Sequence, residues 1–290
     1  MQDLILAERL PVMVQGITGR TGRQHAVAMR AYGTNVVAGV GQDAGDVEGI
    51  PVFLDCRAAV AATGAQASVV LIPPQGVRAA VLDAIEAGVR LIVCVTEGVP
   101  IHDSLAIVRR ARETGTTWIG PSTAGMAIPG RMKLGFLPDV ALRPGPLGVM
   151  SKSGTLAYEL CWRLAERRVG QSIWVGVGGD PVKGTRFADL LPLFAKHDGT
   201  KAILVLGEIG GSEEEDLADQ IKALRFAKPV HVLLAGVTAP EGVTMGHAGA
   251  MVDGNRGTLA SKTHALREAG AILYASMDTL STGIVKTLRS

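Results

Sequence analysis

Aromatic residues make up only 4% of this 290-residue chain, and its formal net charge is only +2. Proteins that grip nucleic acid combine stacking rings with a basic face, so no nucleic-acid partner is expected. No apolar run reaches the roughly 18–20 residues needed to cross a bilayer, so no membrane partner is expected either. Residues 1–9 lack a basic stretch followed by a long apolar one, which argues against secretion. Cysteine is scarce: Cys56, Cys94 and Cys161 are widely spaced, odd in number and fit no metal-ligand pattern. No metal site is expected, and a reducing, cytoplasmic setting is the simplest reading.

What is present is apolar: 47% of residues, against 19% charged. The length suits two ordinary domains, each with its own core. The 37 glycines concentrate at strand ends, as loops that approach ligands closely require. Short apolar runs at 12–14, 35–40, 67–72, 91–95 and 118–119 read as strands. Helix-like segments separate them, at 22–31 and at 77–87, the latter with Val77, Ala80, Val81 and Ile85 on one face. Continuous apolar strands alternating with helices indicate a parallel sheet covered on both faces, a doubly wound α/β domain. A linker is expected at 126–146, where 141–146 is rich in proline and glycine. A second α/β set follows, with strands at 147–150, 172–175, 202–206, 230–234 and 271–273. The expected domains are therefore 1–125 and 147–290.

Several loops carry candidate chemistry. In Met245-Gly246-His247-Ala248-Gly249-Ala250 the small neighbours leave room for a phosphoryl group beside an imidazole, a nucleophile at neutral pH. Taken alone, such a histidine is more often structural than catalytic. Gly16-Ile17-Thr18-Gly19-Arg20-Thr21-Gly22 follows the first strand and opens a helix. It can admit a phosphate to the helix N-terminus or simply make a tight turn. Ser151-Lys152-Ser153-Gly154-Thr155-Leu156 repeats that logic in the second half. Ser153 or Thr155 can cap the helix, or the free N–H groups can hold a phosphoryl group. Gly207-Glu208-Ile209-Gly210-Gly211 ends a strand where such sheets bind ligands, and Glu208 can orient His247 by accepting from one ring nitrogen. The acidic run Glu213-Glu214-Glu215-Asp216 reads as the charged first turn of a helix.

These motifs, with Gly178-Gly179-Asp180-Pro181, Thr96-Glu97-Gly98, Gly120-Pro121 and Ala235-Gly236-Val237-Thr238-Ala239-Pro240, lie in one order. That order resembles the α subunit of succinate–CoA ligase over nearly the whole chain. The resemblance implies a Rossmann-type CoA-binding domain followed by a flavodoxin-like ligase domain, both with parallel sheets. It implies an NDP-forming acid–CoA ligase with a β-subunit partner (αβ or α2β2). The partner's ATP-grasp domain would bind ATP or GTP with Mg. His247 would be phosphorylated and Glu208 would be its partner, with Ser153, Gly154 and Thr155 at the helix N-terminus that holds the phosphohistidine. Gly16, Thr18, Gly19, Arg20, Thr21, Val95, Thr96 and Glu97 would contact CoA. The carboxylic acid would lie near Ser122, Thr123, Tyr158 and Lys183.

Departures from the family pattern bear on substrate. The T-P-G-K-G-G stretch, whose lysine helps hold CoA phosphates, is replaced by Gly41-Gln42-Asp43-Ala44-Gly45-Asp46. Arg20, Arg23 or His25 are the candidate substitutes, and Asp43 could instead meet a ribose hydroxyl. The G-P-N-C-P-G loop is Gly120-Pro121-Ser122-Thr123-Ala124-Gly125 here, and Lys183 replaces a common proline or asparagine. Added hydroxyls and a cation suit malate, another dicarboxylate or a sulfonated acid such as sulfoacetate, besides succinate. The alternatives are a non-catalytic CoA- or nucleotide-binding regulatory protein, and a nicotinamide dehydrogenase. The latter accounts for the first domain alone. His102, His197, His231 and His264 read as surface or structural histidines.

Overall fold

The computed structural model describes residues 9–236, 247, 249–250 and 257–289. The chain divides into two compact units, Met1–Leu137 with Val182–Gly184, and Pro138–Pro181 with Thr185–Ser290. The described parts of each are treated in turn.

The first unit is built on a 7-stranded sheet in the order β3-β4-β2-β1-β5-β6-β7. Its strands are β1 (Val12–Gln15), β2 (Val36–Val40), β3 (Gly45–Val47), β4 (Ile50–Phe53), β5 (Ala67–Val70), β6 (Leu91–Cys94) and β7 (Thr117–Ile119). All pairs are parallel except β3 with β4. Helices α1 (Arg20–Tyr32), α2 (Cys56–Thr63), α3 (Pro74–Glu86) and α4 (Ile101–Thr114) connect them. Helix α3 starts at the first position proline tolerates and buries Val77, Val81, Ala84 and Ile85, one stripe at helical spacing. That stripe joins Met13, Ala38, Val70, Ile92, Ile107 and Trp118 in one apolar cluster. Strand β1 pairs with both β2 and β5, so the strand order reverses between β1 and β5. Ligands bind doubly wound sheets at such a reversal, outside the carboxyl ends of the strands.

Residues 41–46 run into the edge strand β3. Its turn is closed by Asp46 Oδ1, which accepts from Gly49 N at 2.8 Å. Residues 126–146, expected as a linker, are ordered as well. They hold most of a hairpin, β8 (Gly125–Ile128) and β9 (Met132–Gly135), buried throughout, then a short 3-10 turn, Asp139–Ala141.

The second unit's strands are β10 (Pro144–Ser151), β11 (Gln171–Gly176), β12 (Ala202–Glu208), β13 (Val230–Ala235) and β14 (Ile272–Tyr274). They pair in parallel in the order β11-β10-β12-β13-β14. This is the flavodoxin order, with its reversal between β10 and β12. Helices α5 (Gly154–Glu166), α6 (Phe187–Lys196), α7 (Glu213–Ala223), α8 (Leu259–Glu268) and α9 (Met277–Arg289) complete it. Trp174, Phe187, Leu191, Phe194, Leu206 and Ile284 are all buried. Among the described residues, no helix is long and apolar enough to cross a membrane, and no His/Cys/Asp/Glu cluster could hold a metal.

Candidate active site

In the first unit the reversal between β1 and β5 opens a cleft of about 720 Å³. Gly16, Thr18 and Gly19 line it, opposite Leu71, Ile72 and Pro73. Gly16 sits at φ +81°, and a Cβ there would stand 2.5 Å from the Leu71 carbonyl oxygen. A Cβ on Gly22 would collide with the Gly16 carbonyl, so the turn closes only with glycine at both ends. The first-turn N–H groups of α1 have no partner within the helix, which makes its start a natural anion site. Arg20 and Thr21 stand exposed in that turn.

Val95, Thr96 and Glu97 are not among the lining residues. Val95 is buried, Thr96 Oγ1 donates to Ile72 O at 2.8 Å, and Glu97 accepts from Ser122 Oγ at 3.2 Å. Thr96 thereby braces the cleft's wall at Ile72. Among the described residues no lysine or arginine lines the cleft, and its charged side chain is Asp83, which accepts from Cys56 N. Of the candidate phosphate partners, Arg23 is paired with Glu48 at 3.0 Å. His25 packs on Phe136, 4.2 Å between ring centroids. Burial, and then the charge of Lys133, hold its imidazole below the usual histidine range.

In the second unit the reversal between β10 and β12 brings together residues far apart in sequence. Glu208 is the last residue of β12, and its Oε2 lies 2.6 Å from His247 Nδ1. The histidine side chain keeps 25% of its surface exposed, the carboxylate 10%. The ring packs against Gly179, where a Cβ would stand 2.6 Å from Cδ2 and 2.7 Å from Nδ1. The neighbours Met245, Gly246 and Ala248, and 237–240 of the adjoining motif, lie outside the described residues. Ser153 caps α5 by accepting from Leu156 N at 3.3 Å, and its own carbonyl accepts from Ser151 Oγ. Gly154 and Thr155 form the first turn, Thr155 exposed.

Behind this pair lies a buried ionic cluster. Lys152, its side chain only 5% exposed, reaches Glu214 Oε1 at 3.0 Å, Glu213 Oε2 at 3.7 Å and Glu208 Oε1 at 3.8 Å. Burial pushes the Lys152 ammonium down, but Glu214, Glu213 and Glu208 outweigh it and hold the group above the usual lysine range. Lys262 pairs with Glu214 Oε2 and donates to Gly210 O at 2.7 Å. For Lys262 burial wins, and its pKa falls below the usual value. Glu214 Oε1 also accepts from Glu208 N at 3.1 Å, and Glu215 Oε1 from Gly257 N and Ser261 Oγ.

The acidic run does open α7, and Glu213, Glu214 and Glu215 are buried there. Two lysines turned inward supply the counter-charge that three buried acids need. Lys152 and Gly179 lie within loops noted in the sequence but carry no expected role there, and Lys262 stands in no such loop. A signal existed for Lys152: a lysine between a fully apolar strand and a helix cap needs a counter-ion if it is buried.

The residues expected near the acid have internal partners. Ser122 is at φ +57°, and its N–H donates to Thr96 O at 2.9 Å. Thr123 is buried, and its Oγ1 accepts from Gly125 N at 3.0 Å. Lys183 is buried in Val182–Gly184, where Gly184 N donates to Gly120 O at 3.0 Å. Tyr158, in the second unit, stacks on Trp174 with centroids 6.2 Å apart, and burial pushes its phenol up to about 12.

Comparison with known proteins agrees with this architecture. Residues 8–98 match the family described as CoA binding domain, and residues 150–272 match CoA-ligase. The α subunit 1 of ADP-forming succinate–CoA ligase from Archaeoglobus fulgidus is 46% identical over 270 residues, 92% of each chain. The corresponding α subunit of Aquifex aeolicus is 42% identical over 282 residues, 96% of this chain and 92% of that one. Among solved structures, ATP citrate lyase from Methanothrix soehngenii, in complex with citrate and coenzyme A, superposes with a TM-score of 0.89. It is 23% identical, and the match covers 99% of this chain but 51% of that longer one. An acetyl-coenzyme A synthetase from Ca. Korarchaeum cryptofilum superposes at 0.79 with 23% identity, covering 97% of this chain and 60% of that one. At these identities the two structures speak for the fold alone.

Proposed function

The chain belongs to the α-subunit family of ADP-forming succinate–CoA ligases, and from that premise we propose that it carries the phosphoryl relay and the CoA site of such an enzyme. The observation that carries the reading is the 2.6 Å contact between His247 Nδ1 and Glu208 Oε2, at the strand-order reversal of the ligase unit. A carboxylate on Nδ1 keeps the proton there and leaves Nε2 unprotonated, the nitrogen that can attack phosphorus.

The chemistry runs in three displacements. His247 Nε2 attacks the terminal phosphorus of ATP, the P–O bond breaks, and ADP leaves with the bonding pair. A carboxylate oxygen of the acid then attacks the phosphorus and the P–N bond breaks, giving an acyl phosphate and restoring the imidazole. The CoA thiol, losing its proton, attacks the acyl carbon, and inorganic phosphate departs. The N-terminus of α5, with Ser153, Gly154 and Thr155, offers N–H groups and the positive end of a helix dipole to the phosphoryl group. The cleft bordered by Gly16, Thr18 and Gly19 takes CoA, with Arg20 and Thr21 beside its phosphates and Val95–Thr96–Glu97 supporting its wall. A β subunit with an ATP-grasp domain supplies the nucleotide site and holds Mg.

Succinate, the acid named for the relatives, is the one we expect. Ser122, Thr123 and Lys183 invite a hydroxylated or sulfonated acid, yet Ser122 Oγ donates to Glu97, Thr123 Oγ1 accepts from Gly125 N, and Lys183 is buried. The test is thioester formation by this chain co-expressed with its β-type partner, with ATP or GTP. Acids are succinate, malate, glutarate, itaconate and sulfoacetate, and His247→Asn is the control. Succinate is expected to lead with ATP, with no turnover by His247→Asn. Thioester formation by that variant would refute the relay. CoA binding without any labelling of His247 would favour a regulatory binding protein.

A further inference from the structure

Glu208 has two carboxylate oxygens, and they face different partners. Oε2 meets His247 Nδ1 at 2.6 Å, while Oε1 faces Lys152 Nζ at 3.8 Å. Lys152 is held from several sides. Its backbone N–H donates to Leu206 O at 3.1 Å, continuing the pairing of β10 with β12. Its ammonium is anchored on Glu214 Oε1 at 3.0 Å, the same oxygen that accepts from Glu208 N. Through Lys152 and Glu214, Glu208 is linked to a chain of charges: Glu213 and Glu214 at the start of α7 meet Lys152, and Lys262 on α8 meets Glu214 and nears Glu215. Asp180 follows Gly179 in the loop packed on the imidazole. Lys152 thus meets Glu208 at the oxygen that does not bond the histidine.

We propose that Lys152 is a positioning residue: it fixes which oxygen of Glu208 bonds His247, and it limits how strongly that carboxylate holds a proton on the imidazole. The inference rests on the reading of His247 as phosphoryl carrier for its consequence, but not for its geometry. A carboxylate backed by further acids and no cation would make His247 more basic. At neutral pH more of the ring would be imidazolium, which has no lone pair with which to attack phosphorus. Lys152 takes up part of that charge at Oε1, so Glu208 orients the ring while Nε2 stays free.

The experiment follows the His247 imidazole by NMR titration in the full chain labelled with 13Cε1-histidine, assigned by loss of its signal in His247→Asn. In Lys152→Met the His247 titration is expected to move up by about one pH unit, because a like charge that opposes the imidazolium is removed. Lys152→Arg is expected to keep the wild-type value. Burying the acids without Lys152 can unfold the unit, so Lys152→Met/Glu213→Gln is measured as well. It restores the net charge of the cluster but not the contact with Glu208. A raised His247 titration in this double variant supports the proposal. A return to the wild-type value would mean that Lys152 only balances charge, and would overturn it, as would an unshifted titration in folded Lys152→Met. Phosphorylation of the same samples by phosphoramidate, read by 31P NMR, separates the two readings. Failure in every sample, wild type included, speaks against His247 as carrier and leaves the titration result standing.

Discussion

Gly179→Ala is the sharpest perturbation of the histidine that leaves every charged group in place. The added methyl would stand 2.6 Å from His247 Cδ2 and 2.7 Å from Nδ1. Carbon atoms in contact settle at about 3.5–4.0 Å, so the imidazole must retreat by about 1 Å. The Nδ1–Oε2 contact, now 2.6 Å, would stretch or swing out of line. Past about 3.6 Å it would cease to be a hydrogen bond. Gly249 N donates to Gly179 O at 3.0 Å, so the chain on the other side of the histidine resists a compensating shift. A displacement of that size at a reacting group costs on the order of 10²-fold in rate. The assay is the rate of phosphohistidine formation from ATP in the assembled enzyme, beside thermal unfolding and CoA affinity as controls. Folding and CoA binding should be nearly unchanged while phosphorylation falls by about two orders of magnitude. Wild-type phosphorylation in a folded Gly179→Ala protein would refute the argument that this glycine sets the ring's position.

In the first unit, Gly22→Ala places a methyl inside the Gly16 carbonyl and must open the turn. CoA affinity by calorimetry should drop by at least about tenfold, worth about 1.4 kcal/mol, and an unchanged affinity would detach that loop from the CoA site. His231 gives a pH dependence. Its ring is fully buried on β13, bonded through Nδ1 to Tyr274 Oη at 2.9 Å, and burial lowers its pKa from 6.5 to about 4. The folded state keeps this histidine neutral while the unfolded chain takes up a proton between those values. Its contribution is therefore intact above pH 6.5 and is lost as the pH falls toward 4, about 3 kcal/mol across the window. Denaturation curves for His231→Leu should show a flatter acid limb than wild type, and parallel limbs would reject the assignment.

The parallel sheets were legible because their strands are buried on both faces and so read as unbroken apolar runs, as in β6 and β12. The short strands were not. β3 carries glycine and aspartate, and its order comes from pairing with β4, which a local reading cannot weigh. The hairpin of β8 and β9 falls in the stretch read as a linker for the same reason. In the candidate site, Glu208 and His247 were legible because each sits where a strand end or a small-residue loop gives a side chain little to pack against. Their contact spans 39 residues, and only the strand order brings it about. The helix start at the three glutamates was legible, but their burial was not, because acids in a helix's first turn are ordinarily solvated. Nothing local to 213–215 announces that Lys152 and Lys262, on other elements, will cover them.

The first turn of α7 ties together chain segments that meet nowhere else in sequence. Glu213 holds Phe187 N, Glu214 holds Glu208 N with both lysines, and Glu215 holds Gly257 N. Anyone grafting the histidine and its carboxylate onto another sheet of flavodoxin order would find the two side chains insufficient. The transplant must bring Lys152, Lys262 and all three glutamates, because these form the socket into which the visible pair is plugged. By the same logic, a survey of distant sequences for this arrangement should search for the lysine before the helix cap together with the acidic turn, and not for the histidine alone.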